Sequence, residues 1–469
     1  MSNLKPLVHN SVREFLGQTN ILFSNMEDLS GPLHFIFPEI MSENIEKIKA
    51  VLDDSDIDYY IYFAHKPTKS KAFLRQARKD GIHLDVASEN ELNSALSCGF
   101  QGNEIECTGP KNDTYIQLAI QNGCLISVDS LSELNKIIDY KNEVNILLRI
   151  SGFDNSSKIP KKDSRFGINF NDIETAFKLL KNNSNINLRG FHHHQDGYSN
   201  EVRTNIILSL YELIIKSYDE GFSPDIVNIG GSFRSKVLDN YLDLQKFMEL
   251  MQESLISGTN QVWGNDNYGL YLDSNGLTRN REKIEQKFTN IDFQQQLKEI
   301  ISSSNVNKKL IDADIKLMIE PGKIVLNQAG VSIFKITSIK KTSLGDNLVL
   351  VDGNIFSIGA KMFEPMTDPL LIKKTAYDAS LNLERNSMFD TFVAGNLCRE
   401  DDFLIRRKVT FNQIPEEGDL ICFIDTGAYR QDFEDARPHM HSAGKRLVAI
   451  KNDGEFKVCS EDEYLIKNS

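Results

Sequence analysis

Residues 59–70 read YYIYFAHKPTKS, and the fold turns on how this stretch is understood. The aromatic and apolar run from Tyr59 to Ala64 favours a strand. Pro67 closes it just after Lys66, because proline has no N–H to give to a ladder. A strand ended by a lysine admits two readings. The side chain can carry its ammonium to water along an apolar stem. Alternatively it can act as an amine nucleophile whose pKa burial lowers, which is what Schiff-base chemistry needs. The stretch by itself does not choose between them.

The same pattern of apolar run, polar turn and amphipathic stretch recurs down the chain. Strand candidates lie at 59–66, 82–88, 104–110, 124–130, 145–150, 187–194, 225–231 and 315–322, with helical patterns such as KAFLRQARKD (71–80) and ENELNSALSCGF (89–100) between them. Alternating strands and helices predict an α/β fold with a parallel sheet. Eight such units predict a closed (β/α)8 barrel of the TIM type rather than an open doubly wound sheet. Polar or glycine residues close most of these runs: Lys66, Ser88, Asp129, Arg149, His192 with His194, Gly230 with Gly231, and Glu320. In such barrels the carboxyl ends of the strands carry the active site, and phosphate often binds after the last two strands. Asn228-Ile229-Gly230-Gly231-Ser232 follows the seventh run, where glycines let backbone N–H groups approach a phosphate.

The 469-residue length implies two domains. A net charge of −13 without a basic block argues against a nucleic-acid surface. Six scattered cysteines with no CxxC pair suit a reducing cytoplasm. The opening MSNLKPLVHNSVREFL lacks the apolar core of a signal peptide, and no run reaches membrane-spanning length. The expectation is a soluble cytoplasmic protein. An Asn- and Gln-rich stretch at about 257–307 holds the sole tryptophan, Trp263; it is expected as an insertion beside the site, either a lid or a solvated excursion. After about residue 325 short strands dominate, including VSIFKITSIKK (331–341), NLVLVDGN (347–354), DLICFIDTGAY (419–429) and KRLVAIKN (445–452). They predict a second, all-β domain. The expected division is thus an N-terminal segment 1–35 joining the β-domain, a barrel over 36–325, and a β-domain over 326–469.

Several short motifs occur in a definite order: Lys66, Asp85-Val86-Ala87-Ser88, Gly190–His194, Gly230–Ser232, Glu320-Pro321-Gly322-Lys323, Val351-Asp352-Gly353, Gly395–Asp402 and Gly427-Ala428-Tyr429. In this order they resemble the barrel-fold, alanine-racemase-like (fold type III) pyridoxal-phosphate-dependent decarboxylases of the diaminopimelate and ornithine decarboxylase family. The resemblance implies pyridoxal 5′-phosphate as cofactor, α-decarboxylation of an amino acid, and a homodimer with shared sites. It matches Lys66 to the lysine that holds the cofactor covalently, Glu320 to the partner of the pyridine nitrogen, and His194 to the histidine on the ring face. Gly230, Gly231 and Ser232 match the phosphate loop, with Lys323 where the family usually has an arginine and Tyr429 as a phosphate-contacting tyrosine. Cys398 matches the cysteine that returns a proton to the α-carbon in the neighbouring subunit's site.

Departures fall where substrate is read. Gln195-Asp196-Gly197 replaces a glycine-serine pair, leaving Ser199 as the nearest hydroxyl, and Ile358–Pro365 lacks the arginine of diaminopimelate decarboxylases. Arg399 stands where the family usually has an acid for the substrate's distal ammonium; Arg399 and Asp402 are the substrate-binding candidates. A cation disfavours an ammonium, so the distal group is expected to be anionic or neutral, as in a siderophore-type conjugate, unless Arg399 turns outward to Glu400 or Asp401. Diaminopimelate decarboxylase, an amino-acid racemase and a non-catalytic homologue are the rival readings; Glu320 opposes racemisation, and Lys66 and Cys398 oppose loss of catalysis. Arg437 and His439 read as surface residues of the β-domain. The His192-His193-His194 run is not expected to bind metal, because His193 faces away from the other two on a strand and no carboxylate is evident beside the pair.

Overall fold

Tyr59–Ala64 (β1) is the first of eight strands that pair side by side in parallel. The others are His83–Val86 (β2), Ile105–Cys107 (β3), Leu125–Val128 (β4), Val144–Ser151 (β5), Ile186–His192 (β6), Ile226–Asn228 (β7) and Lys316–Ile319 (β8). β8 pairs back onto β1 with Leu317 opposite Tyr59, so the sheet closes into a barrel. The structure is a computed structural model that describes residues 3–153, 158–160, 163–194, 199–265, 267–362, 364–374, 388–432 and 437–467. The chain forms two compact units: the barrel, Met41–Phe233 with Phe293–Val325, and a sheet unit of Met1–Ile40, Arg234–Asp292 and Leu326–Ser469.

Side chains two apart on a strand share a face, and this period organises the barrel interior. Tyr62, Leu125, Leu147, Ile226 and Met318 meet in one buried apolar cluster, with Tyr60 against it. Burying each contributes about 1.5–3 kcal/mol. Two residues further along the same strands stand Ser127, Arg149, Asn228 and Glu320. Hydrocarbon therefore fills the amino-terminal end of the barrel, and polar groups occupy its carboxyl end. Some strand-end polar residues serve helices instead. Ser88 Oγ accepts the Glu91 N–H (3.2 Å) and Glu91 accepts the Ala87 N–H (2.7 Å), a reciprocal cap that starts the helix Glu89–Ser97.

In the sheet unit, Leu33–Ile36 lies between Gly330–Lys341, antiparallel, and Lys445–Asn452, parallel. Phe334, Val349, Val351, Val393 and Leu404 fill its core. The unit is not purely β: Phe15, on the helix Asn10–Gly17, packs edge-on against Phe35 and Phe456. Within the sheet unit, Arg234–Asp292 is the segment that precedes the last barrel strand. The helix Leu242–Ser257 buries Leu244, Phe247, Met248 and Met251 with Leu4, Leu238 and Val262 of its own unit, whereas Phe293–Ser302 packs on the barrel helix Asn200–Asp219. Both helices are amphipathic, and each follows its apolar face.

Candidate active site

Lys66 sits in a tight turn at the end of β1. The Thr68 N–H donates to His65 O (3.0 Å), and His65 Nδ1 lies 2.7 Å from Thr68 O. The turn is tied to both neighbouring strand ends, through His65 N–H to Asp85 O (2.9 Å) and Ala64 N–H to Pro321 O (3.1 Å). A Cβ on Gly322 would stand 2.8 Å from Pro67 Cγ, so glycine lets the Glu320–Lys323 segment lie against this turn. Lys323 is half-buried there. Of the two readings of Lys66, the structure has the solvent-reaching one: its side chain is exposed at the barrel mouth. Its charge still acts downward, drawing the carboxyls of Asp85 and Glu320 towards their ionised forms.

Below the lysine lies a buried layer of acids and imidazoles. Glu320 Oε1 accepts from Asn228 Nδ2 (2.7 Å) and faces His192 Nε2 at 3.2 Å, while its Oε2 lies 3.5 Å from His194 Nδ1. Ser127 Oγ bonds His192 Nδ1 at 2.7 Å. Burial pushes the Glu320 carboxyl up, but His192, His194 and Lys66 outweigh it and hold the group well below the usual carboxylate range. Burial drives His192 well below its ordinary value, against the pull of the Glu320 carboxylate. Burial and the charge of Glu320 raise Asp85 to about 7, against the pull of Lys66 and the Thr108 hydroxyl. His193 does point elsewhere: its Nδ1 bonds Ile150 O at 2.8 Å and its ring packs edge-on against Phe153. The histidine pair does have a carboxylate beside it, contrary to the sequence reading. Glu320 arrives from the last strand, and ligand-type atoms of His192, His194 and Glu320 all lie within 4.8 Å of one another.

The glycine loop closes over this layer. Gly230 has φ +65°, and a Cβ there would stand 2.4 Å from His194 Nδ1; one on Gly231 would stand 2.3 Å from Glu320 O. The Gly230 N–H donates to Asn228 Oδ1 (2.8 Å) and the Gly231 N–H to His194 Nδ1 (3.2 Å). Ser232 holds φ +63°, with its carbonyl accepting from Arg203 Nη2 (2.7 Å). Gly231→Ala is expected to cost about 1–3 kcal/mol by overpacking two strand ends. The measurement is the urea midpoint, which should fall at unchanged slope.

In the sheet unit the remaining motifs explain one another. Asn396 Nδ2 donates to Asp352 Oδ1 (3.0 Å) and Asn396 N–H to Gly353 O (2.9 Å), which joins Val351-Asp352-Gly353 to Gly395–Asp402. Asp402 is 2% exposed, and its two oxygens accept the N–H groups of Ile355 and Leu397, each at 2.7 Å. It shapes the loop that presents Cys398, whose thiol is free and exposed. The Cys398 N–H lies 3.4 Å from His439 Nδ1, a neighbour missed when His439 was read as surface alone. Arg399 is exposed and donates from Nε (2.9 Å) and Nη2 (2.8 Å) to Asp401, which Lys361 also reaches (3.3 Å). Trp263 Nε1 donates to Glu400 O (2.8 Å), bracing the same loop from the inserted segment. Tyr429 takes φ +60° in its turn. Gln195-Asp196-Gly197 and Phe363 lie outside the described residues, and Ser199 caps the helix Asn200–Asp219.

Residues 41–262 match the family model described as "Pyridoxal-dependent decarboxylase, pyridoxal binding domain". Over that stretch this chain is similar to the pyridoxal-dependent decarboxylases. It is 26% identical over 457 residues to the uncharacterized protein y4yA of Sinorhizobium fredii, across 96% of this chain and 94% of that protein. It is 23% identical over 404 residues to the diaminopimelate decarboxylase of Staphylococcus aureus, across 82% and 81%. The solved structure of the Methanocaldococcus jannaschii diaminopimelate decarboxylase with L-lysine aligns with a TM-score of 0.68 at 19% identity, covering 95% of this chain and 94% of that one. At such identity the structural likeness speaks for the fold alone. No helix among the described residues is long and apolar enough to cross a membrane.

The barrel suits the cofactor of this family. An anionic carboxylate buried to 2% exposure, a loop with no room for Cβ atoms at Gly230 and Gly231, and an exposed lysine amine stand at one end of it. They match the three needs of pyridoxal phosphate: a partner for the ring nitrogen, a cradle for the phosphate and an amine for the aldehyde. The sequence reading missed Glu106 and Asn228. Their signal is position: each is a polar residue inside a three-residue buried strand and in phase with the polar layer.

Proposed function

We propose that this protein removes the α-carboxyl group of an amino acid or amino-acid conjugate, releasing CO2 and an amine. The observation that carries this reading is the buried Glu320, held anionic between His192 and His194 in the barrel whose rim bears Lys66. Bound there, pyridoxal phosphate supplies an electron sink for the pair left when CO2 departs. Lys66 binds the aldehyde carbon through its amine. Glu320 would hold a proton on the ring nitrogen, and His194 would lie beside the ring. The Gly230-Gly231-Ser232 loop, which has no room for Cβ atoms at its glycines, would cradle the phosphate, joined by Lys323 as a point charge. Cys398 from a second copy delivers a proton to the α-carbon, so the active unit is a homodimer; the ordered family motifs support this assignment. Six free thiols fit a reducing cytoplasm.

For the substrate, we favour an anionic or neutral distal group. Arg399 and Lys361 share the single carboxylate of Asp401, so these three side chains leave one cation uncompensated. A distal ammonium gains nothing from that charge. The test is CO2 release across diaminopimelate, ornithine, lysine, arginine, glutamate and citryl-diamino acid conjugates. Arg399→Glu should shift the kcat/KM ratio by roughly tenfold towards substrates with a distal ammonium. An unchanged ranking would remove Arg399 from substrate selection.

A further inference from the structure

Glu106 is fully buried on β3, inside the barrel and beside Glu320, but it is not among the groups assigned above to cofactor or substrate. Its two oxygens lie 3.2 and 3.3 Å from Asn228 Nδ2, and the same nitrogen donates to Glu320 Oε1 at 2.7 Å. The orientation of this amide is determined. Asn228 Oδ1 accepts the Gly230 N–H at 2.8 Å, so the NH2 end must face the acids, one hydrogen for each. A single side chain therefore links two buried carboxylates to the first N–H of the glycine loop.

We propose that Glu106 is a positioning residue for Glu320, acting through Asn228 to hold that carboxylate in place and to keep it the charged member of the pair. The inference rests on the assignment of Glu320 to the pyridine nitrogen. Charge accounting supports it. Glu106 is faced by Glu320 on β8, Asp85 on β2, His192 on β6, Lys111 after β3 and Tyr62 on β1. Lys111 is engaged with Glu133 at 2.8 Å and with two carbonyl oxygens. Carboxylates packed so closely in a dry barrel do not all ionise together. Burial, Glu320 and Asp85 push the Glu106 carboxyl well above its usual range, while Glu320 is held below. Glu106 then carries the proton, and Glu320 stays a charged hydrogen-bond acceptor that would keep the cofactor's ring nitrogen protonated.

The test compares the full-length protein with Glu106→Gln and Glu106→Leu. Glutamine keeps a neutral acceptor for Asn228 and an N–H for Glu320, so E106Q should bind pyridoxal phosphate within about threefold of the unmodified chain. Leucine removes both contacts, and loss of such a supporting partner should weaken binding by roughly 10–100-fold. Equal affinity in E106L, or equal weakening in both variants, overturns the proposal.

Melting of the cofactor-stripped proteins provides a readout that does not depend on activity. A carboxyl whose folded pKa is raised takes up a proton on folding above the unfolded value of about 4.3. The unmodified chain therefore loses stability relative to E106Q as pH rises. The Tm advantage of E106Q should widen from pH 5 to pH 8; a flat difference overturns the proposal, and this arm decides if E106L does not fold. Glu320→Gln separates the two readings. If it leaves cofactor affinity unchanged, the Glu320 assignment fails, while the widening Tm gap still reports the Glu106 proton.

Discussion

Lys66→Ala leaves a folded protein that neither binds pyridoxal phosphate covalently nor releases CO2 above background. The side chain is exposed, and the turn beneath it is built from backbone bonds of Ala64, His65 and Thr68 that alanine retains. Truncating such a residue moves stability by only about 0.5 kcal/mol in either direction. An unchanged melting curve together with lost visible absorbance thus isolates the amine as the cause. Removing the positive charge also acts on the acids below. Lys66 favours the ionised form of Asp85, whose carboxyl otherwise rises with burial to about 7. In the variant, Asp85 should hold its proton to still higher pH. A Lys66→Ala protein that keeps both its absorbance and its turnover would refute the assignment of the nucleophile.

Glu320→Gln should lower kcat/KM by about 10²–10³-fold, the usual effect of losing one preorganised electrostatic partner of a reacting group. Glutamine has nearly the same shape and can still accept from Asn228 Nδ2 through its carbonyl. The buried layer survives, and only the charge that holds a proton on the ring nitrogen is lost. Some stability should be lost at neutral pH, because a carboxylate held well below its usual range stabilises the fold once ionised, but the retained shape should keep the enzyme folded. The expected pattern is a well-folded enzyme with a deep loss in kcat. Turnover equal to that of the unmodified enzyme would mean that the ring nitrogen finds its partner elsewhere.

Much of this was legible in the chain. The runs at 59–66 and 315–322 are apolar stretches ended by polar or glycine residues, which marks buried barrel strands, and Gly230-Gly231 and Glu320-Pro321-Gly322 stand out because few other residues fit their places. Asp402 and Lys66 were harder. A polar residue in a loop motif can serve substrate or scaffold, and the two N–H groups that converge on Asp402 come from residues 47 and 5 positions away, a meeting the local sequence does not encode. The exposure of Lys66 depends on how the neighbouring strand ends splay around it, which no local pattern encodes. Arg399 was left with two readings, and its geometry on Asp401 came from the structure.

What the sequence determined by itself is the set of local elements and the ordered motifs, because strand period, capping residues and glycine positions act over a few neighbouring residues. What only the tertiary structure decided is which of those residues meet. Asn228 joins Glu106, 122 residues away, to Glu320, 92 residues away in the other direction. That meeting exists because parallel strands far apart in the chain become neighbours only when the barrel closes. The charge on each acid follows from the meeting, since burial and mutual repulsion set it, and neither acts in the unfolded chain.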